Sequence, residues 1–457
     1  MGPPPLPIAQ ERPPVIHKPS HPGPSRRRSR CPAACAAWLG GLLAALCTPC
    51  CRAADWPQWR GADHNGLTSE QSGWPAGWPP KKLWGGNVGK GCTSPIIVGG
   101  KLYVMGWTGD ATTEKGDDTL RCLDARSGRE LWKQSYSSPY QGRKRLGDER
   151  LYGGPCSTPS FDLVTGSLFT LSVDGDLRCW DATQQGKLVW AKSLYDEYDV
   201  PQRPFTGKEI RDYGYACSPL VLGDSVVVEV GASQGTVMAF DKRTGRQQWA
   251  SKYNREFGST AGPVPLQVDG NDCVAVFTTN DVVVIRTDKG HEGETVAAQP
   301  WTTDFACHVA SPGVSGSRVL ITSTHNHREA VLFDVFQGGM RQVWRSSRYA
   351  VVSSPVVYRD RVFLIQNQLQ CLDLATGADK WRGGGFGNGS CLVTGDAKVI
   401  AFGNGKLALI DALADEYREL SQVEGVVGGT CYPHVPLAAG LLVCKDKEGE
   451  LVCFSVK

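Results

Sequence analysis

Five cysteines share one local setting. Cys92, Cys156, Cys217, Cys391 and Cys431 each lie within three residues of a stretch that reads small residue, Ser or Thr, usually Pro, then a short apolar run. Thiols gathered at one place bridge one another or bind a soft metal such as zinc. A plainer reading stands beside this one: crowded strands demand small side chains, and cysteine packs as a small hydrophobe. HNH (325–327) offers two imidazoles as metal ligands, although its place between SRVLITS and AVLFDV reads as a hairpin turn. GGNVGKG (85–91) resembles a phosphate loop only superficially, because it lacks the Lys-Ser/Thr ending and reads as a connection between strands. No CxxCH occurs, so no covalent c-type haem is indicated.

The acidic residues that look most like catalytic candidates belong to a repeat. CLDARSGRELW (122–132), AFDKRTGRQQW (239–249) and CLDLATGADKW (371–381) share a small residue, Asp, Ser/Thr-Gly and Trp at fixed offsets. CWDATQQGKLVW (179–190) and LFDVFQGGMRQVW (332–344) are longer copies. LIDALADEY (409–417) is a short copy, and VIRTDKG (284–290) followed by Trp301 is a degenerate one. Such an Asp and Ser/Thr bond backbone amides in a tight turn, and the glycine supplies positive φ. Asp124, Asp241 and Asp373 therefore read as structural, not catalytic.

The cysteine-flanked signal alternates with this motif. It appears clearly at 91–104, 155–171, 216–230, 309–322 and 352–365, and more weakly at 262–278, 389–402 and 431–444. Each unit reads as four antiparallel strands joined by short turns. The expected fold is all-β: an eight-bladed β-propeller of four-stranded antiparallel blades. KKLW (81–84) has no preceding strands of its own, and the unit from Cys431 to Lys457 lacks a tryptophan. The N-terminal strand is expected to complete the C-terminal blade, leaving no free sheet edge. Trp84, Trp132, Trp190, Trp249, Trp301, Trp344, Trp381 and Tyr417 form the expected series of aromatics docked between blades. Cys122, Cys179, Cys371 and Cys453 occupy the motif's small slot, where Ala239 stands in another copy. Cys444 and Cys453 are placed to face each other across a hairpin.

The N-terminus has another character. Residues 1–30 are a proline-rich leader expected to be disordered. Residues 31–54 hold an apolar run from Ala36 to Leu46 and small residues near Ala53, the pattern of a secretory signal cleaved there. The run is too short to span a bilayer, and Leu46 before Cys47 argues against lipid attachment. Residues 55–457 form the expected propeller. The net charge of +3 is a leader effect: removing seven basic and one acidic residue leaves 42 basic against 45 acidic, about −3. A nucleic-acid partner is excluded on that charge.

These offsets resemble the tryptophan-docking motif of the pyrroloquinoline-quinone (PQQ) propeller repeat. DWPQWRGADHNGLTSE (55–70) and the order of divergent units look like exported PQQ-like propellers of planctomycete-type bacteria. The resemblance implies two branches of function. One is the quinoprotein alcohol and sugar dehydrogenases, which hold PQQ with calcium and an aspartate base; many carry adjacent cysteines over the quinone. The other is BamB, a non-enzymatic scaffold of outer-membrane β-barrel assembly. Here the only adjacent pair, Cys50–Cys51, falls in the leader, and no calcium triad is placed by motif. The expectation is therefore a periplasmic or extracellular BamB-like scaffold with no catalytic residues, the dehydrogenase being the alternative. A protein partner or small ligand is expected at the channel mouth or at the long insertions 135–154 and 195–215, which are rich in Arg, Lys, Asp and Tyr.

Overall fold

The computed structural model describes residues 55–141, 153–201, 205–206, 209–210, 214–255, 261–304, 308–325 and 327–457. They form an eight-bladed β-propeller in which strands follow chain order from the axis outward. Blade 1 comprises Ile96–Val98, Lys101–Asp110, Lys115–Asp124 and Glu130–Ser137. Blade 2 comprises Ser160–Phe161, Ser167–Leu171, Asp176–Asp181 and Lys187–Ser193, and blade 3 Leu220–Leu222, Ser225–Ala232, Gly235–Asp241 and Gln247–Ala250. Blade 4 runs from Val264–Val268 to Thr295–Pro300, blade 5 from Gly313–Ser315 to Gly339–Ser346, and blade 7 from Ser390–Val393 to Glu419–Val423. In blade 6 the middle strands form one continuous segment, Arg361–Asp373; its halves pair with Val356–Tyr358 and Asp379–Gly387, and Asn367 between them has φ 59°. Blade 8 holds Leu437–Ala438, Leu441–Lys445 and Glu450–Ser455, and Lys81–Asn87 from the N-terminal side is its outer strand. That pairing joins the chain's two ends and closes the ring.

Some middle strands do not alternate in polarity. Val226–Val230 and Cys273–Phe277 are buried at every position, because each blade is covered on both faces by its neighbours. Outer strands such as Glu130–Ser137 alternate between exposed and half-buried residues, the period-two signature of one solvated face.

The repeated Asp turns have the form expected from their residue types. Asp241 Oδ1 accepts from Thr244 N and Oγ1, both at 2.8 Å, and Gly245 N donates to Asp241 O at 2.8 Å. Asp373 with Thr376 and Asp124 with Ser127 repeat the arrangement. These bonds hold the carboxyls of Asp124, Asp241 and Asp373 below the usual range. A saturated, anionic turn carboxylate is not a proton-transfer group.

Each blade carries a β-bulge at one place, and the bulge sets the tryptophan. Trp84, Trp132, Trp190, Trp249, Trp344 and Trp381 pair with Cys453, Cys122, Cys179, Ala239, Leu332 and Cys371, and a register shift adjoins every pair. Indole N–H groups reach the next blade's turn: Trp84 to Ala125 O (3.0 Å), Trp190 to Lys242 O (3.2 Å), Trp344 to Leu374 O (2.8 Å) and Trp381 to Ala414 O (2.8 Å). Trp301 and Tyr417 lie outside this slot, contrary to expectation. The equivalent positions are Ala297, opposite Val284, and Ser421, opposite Leu409. Trp301 sits at the other end of blade 4, where its indole donates to Ser323 Oγ at 3.0 Å and its ring packs, tilted, against His327 at 4.5 Å. Tyr417 leans back on blade 6, against Gly383 and edge-on to Trp381 at 5.8 Å. The spacing past the turn had drifted in both copies, and a bulge leaves no mark in sequence.

Candidate functional site

The innermost strands line the channel, and the Ser/Thr-Pro signal is what links them. His434 N donates to Ser94 Oγ (2.7 Å), Ser94 N to Thr158 Oγ1 (3.0 Å), Thr158 N to Ser218 Oγ (2.9 Å) and, further round, Ser311 N to Ser354 Oγ (3.0 Å). Each hydroxyl satisfies a backbone N–H of the neighbouring blade that no sheet ladder reaches.

These links give the register of adjacent inner strands and thereby sort the five thiols. Cys92 lies against Cys156, since Ser94 meets Thr158 and Gly91 meets Pro155 at the same offset. By the same count Cys217 and Cys431 fall one residue out of step, which turns their side chains to the other side of an extended strand. Both are buried: Cys217 donates to Glu229 O and Cys431 to Gly429 O. Cys391 lies one residue beyond Ser390 and is buried near Arg60, whereas Cys92 and Cys156 lie near Lys445. The five do not form one cluster, and among the described residues no three His, Cys, Asp or Glu side chains converge to hold a metal ion. Cys444 and Cys453 also do not face each other, for Cys444 pairs with Val452 and Cys453 with Val443.

One mouth of the channel is crossed by the chain's own N-terminal segment. Trp56 exchanges backbone bonds with Ile97 of blade 1 (2.7 and 3.0 Å), and Pro57 O accepts from Phe161 N of blade 2. The segment then dips inward. Trp59 donates to Ser311 Oγ of blade 5 at 3.2 Å and packs on His434 of blade 8 at 4.2 Å. Arg60, only 1% exposed, donates to Pro312 O (3.1 Å), to Pro355 O and to Asn65 O, clamping blades 5 and 6. The segment leaves along blade 7, where Val393 N donates to Gly66 O and Ser72 Oγ donates to Asp396 Oδ2 at 2.6 Å. Arg60 and His64 both adopt positive φ, 61° and 54°, to make the tight reversal. Burial and the Arg60 cation push the His64 and His434 imidazoles down to about 3, so both are neutral at physiological pH. Burial lowers Arg60 itself to about 10. Sequence reading assigned no role to Arg60 or His64; WRGADHNG resembled family sequences but carried no periodic signal.

At the opposite mouth, the hairpin after Lys445 approaches the GGNVGKG connection, which joins blade 8 to blade 1 as expected. Gly91 N donates to Lys447 O at 2.8 Å. Lys445, 1% exposed, donates from Nζ to Gly91 O (2.6 Å) and Asp446 O (2.9 Å). Burial lowers its ammonium to about 8, and Cys92, Asp446, Cys156 and Glu448 oppose the drop. A second titratable group sits between blades 1 and 2: burial raises Asp118 to about 7, while the Arg178 guanidinium stacks 4.0 Å over the neighbouring Tyr136 ring.

His325 and His327 lie between the paired strands Arg318–Ser323 and Glu329–Phe336, with His327 Nδ1 3.1 Å from Glu329 Oε1. Among the described residues of the two long insertions, three tyrosines turn inward. Tyr140 packs on Trp107 at 4.9 Å, Tyr195 on Tyr215 at 5.2 Å, and Tyr215 donates to Val230 O at 2.7 Å. Residues 142–152 of the first insertion, 202–204, 207–208 and 211–213 of the second, and the leader with Cys50 and Cys51 lie outside the described residues.

A calcium-bound quinone needs converging oxygen donors. The described residues do not supply a three-carboxylate set, and Trp59, Arg60 and His64 occupy the channel from one end.

The bulged tryptophan clasps, hydroxyl-linked inner strands and ring closure define a PQQ-type repeat propeller. The family model described as outer membrane protein assembly factor BamB matches residues 116–383, more than half of the 457-residue chain, and the chain belongs to that family. A curated relative, the outer membrane protein assembly factor BamB of Burkholderia pseudomallei (strain K96243), is 26% identical over 191 residues. That match spans 41% of this chain and 36% of the relative's length. Among solved structures, BamB from Moraxella catarrhalis superposes with a TM-score of 0.56 at 12% identity, covering 82% of this chain and 99% of that one. A europium-containing methanol dehydrogenase gives 0.50 at 11% identity, covering 86% and 90%. At such identities these two likenesses concern the fold alone. No helix among the described residues is long and apolar enough to cross a membrane.

Proposed function

We propose that the protein is an exported, non-enzymatic binding scaffold that serves outer-membrane protein assembly, the role in its family's description. The observation that carries this reading is the family match over residues 116–383, which runs from blade 1 to blade 6 and so lies in the blades themselves. The strapped channel supports it: the route that would hold a cofactor is partly filled by Trp59, Arg60 and His64. Export rests on the apolar run 36–46 and the small residues near Ala53.

Binding then belongs to the outer surfaces. Leu163, Val164, Leu188 and Val189, all 43% exposed or more, lie on blade 2 at its turn face and outer strand. Blade 2 also stands between the insertions 135–154 and 195–215. An apolar edge flanked by charged loops suits a protein partner.

Cross-linking in native envelopes tests the reading. A tagged chain is expected to co-purify a β-barrel assembly component from the outer-membrane fraction, and the Val164→Asp/Val189→Asp double variant to lose it. Tight PQQ binding with calcium-dependent dye reduction by alcohols or sugars would instead establish the quinoprotein dehydrogenase alternative.

A further inference from the structure

Among the five inner-strand cysteines, two stand apart in register and in exposure. Cys92 and Cys156 are half-exposed, whereas every other described cysteine is buried. They occupy matching positions on adjacent inner strands, bracketed by the Gly91–Pro155 and Ser94–Thr158 contacts. A Cβ placed on Gly91 would lie 2.5 Å from Pro155 O, so the two backbones touch at this level. A disulfide requires that proximity. Directly behind them lies the Lys445 ammonium, whose Nζ donates to the carbonyl of Gly91, the residue before Cys92.

We propose that Cys92 and Cys156 form a redox-active dithiol at the channel mouth opposite the N-terminal strap, with Lys445 as the positioning cation that favours their thiolates. The partner class is a small or protein-borne disulfide, R–S–S–R. One thiolate of the pair attacks a sulfur of that disulfide; a mixed disulfide forms and RS⁻ leaves. The second thiolate then attacks the protein sulfur of the mixed disulfide, closing Cys92–Cys156 and releasing a second RS⁻. The chain loses two electrons and two protons, and R–S–S–R becomes two RSH.

The electrostatics agree in direction. A thiolate is stabilised by a nearby cation and disfavoured in apolar surroundings. Cys92 and Cys156 both interact with Lys445, as do the acidic Asp446 and Glu448 of the same hairpin. Burial pushes the thiols of Cys122, Cys273, Cys371 and Cys431 up to about 11, and those of Cys179, Cys391 and Cys453 to about 12. Those sites are correspondingly inert. This inference is independent of the scaffold reading.

The purified folded protein is treated with oxidised glutathione at pH 8 and mapped by mass spectrometry without reduction. The expected product is a Cys92–Cys156 linked peptide, and Cys156→Ser is expected to stop at a glutathione adduct on Cys92. In parallel, iodoacetamide labelling is followed from pH 6 to pH 9. Cys92 and Cys156 are expected to label first, and Lys445→Met to slow them about tenfold at pH 7, the effect of one pKa unit. Lys445→Arg, which retains the charge, is expected to restore the rate. Wild-type protein that accumulates adducts on both cysteines without linking them overturns the dithiol, whatever the fate of the lysine variants. Labelling as slow as at the buried thiols overturns it equally, and an unchanged pH profile in a folded Lys445→Met variant removes Lys445 from the site.

Discussion

Placing a methyl group on Gly377 tests whether the repeated motif is an interblade clasp. Gly377 has φ +72°, and a Cβ there would lie 2.6 Å from Cδ2 of Trp344. Ordinary contact begins near 3.4 Å, so the indole must retreat by about 1 Å. Its hydrogen bond to Leu374 O is 2.8 Å long, and such a shift carries it out of range. Gly223 is the matched control: φ is +58° and nothing lies within 4 Å of its Cβ position. Gly223→Ala therefore measures the left-handed backbone alone, about 1 kcal/mol. Gly377→Ala adds a lost hydrogen bond of about 1 kcal/mol and disturbed packing of a side chain whose removal costs roughly 3–5 kcal/mol. A total of about 3 kcal/mol is expected. Unfolding entropy near 2.1 cal/mol/K per residue makes that about 4 °C in Tm for a unit of about 400 residues, against about 1 °C for the control. Calorimetry on both variants, and on each change combined with Trp344→Ala, completes a double-mutant cycle. In the Trp344→Ala background Gly377→Ala should cost no more than the control. An undiminished cost there would refute the clasp.

Other outcomes follow from the buried charges. Asp118 is raised by burial from 3.8 to about 7, so below pH 4 it is protonated folded or unfolded, and between pH 4 and 7 only the unfolded chain releases the proton. Stability therefore falls as pH rises through that window, and Asp118→Asn should exceed wild type by up to about 4 kcal/mol above pH 7, with the gain vanishing near pH 4 in urea titrations. Arg60→Lys keeps the charge but not the fork that spans Pro312 and Pro355; a loss of about 2–4 kcal/mol is expected, with faster hydrogen exchange in blades 5 and 6. Trp59→Ala should expose the His434 ring and raise its pKa from about 3 toward 6.5, read by NMR titration.

The clasps were legible because their chemistry is local. Asp241, Thr244 and Gly245 meet within one turn, so their spacing alone specifies their bonds. Trp301 and Tyr417 misled for the same reason: an aromatic at roughly the right distance was counted, whereas the bulge awards the slot to Ala297 and Ser421. The thiols were recognised as a set by their neighbours in sequence. Their separation into one half-exposed pair and three buried members depended on a one-residue offset between strands. Tyr195 and Tyr215, read as loop residues open to a partner, pack on each other in the core instead.

By itself the sequence determined the repeat, the number of blades, the closure through KKLW and the structural character of the motif aspartates. Each depends on residues close in the chain, or on a pattern that recurs often enough to outweigh its worn copies. Only the tertiary structure decided what lies in the channel. Arg60 meets Pro312 and Pro355 across more than 250 residues, and Lys445 meets Gly91 across 354. Such pairings arise because ring closure brings distant segments to one axis, and no local spacing encodes which of them will arrive with an unmatched charge or a half-exposed thiol.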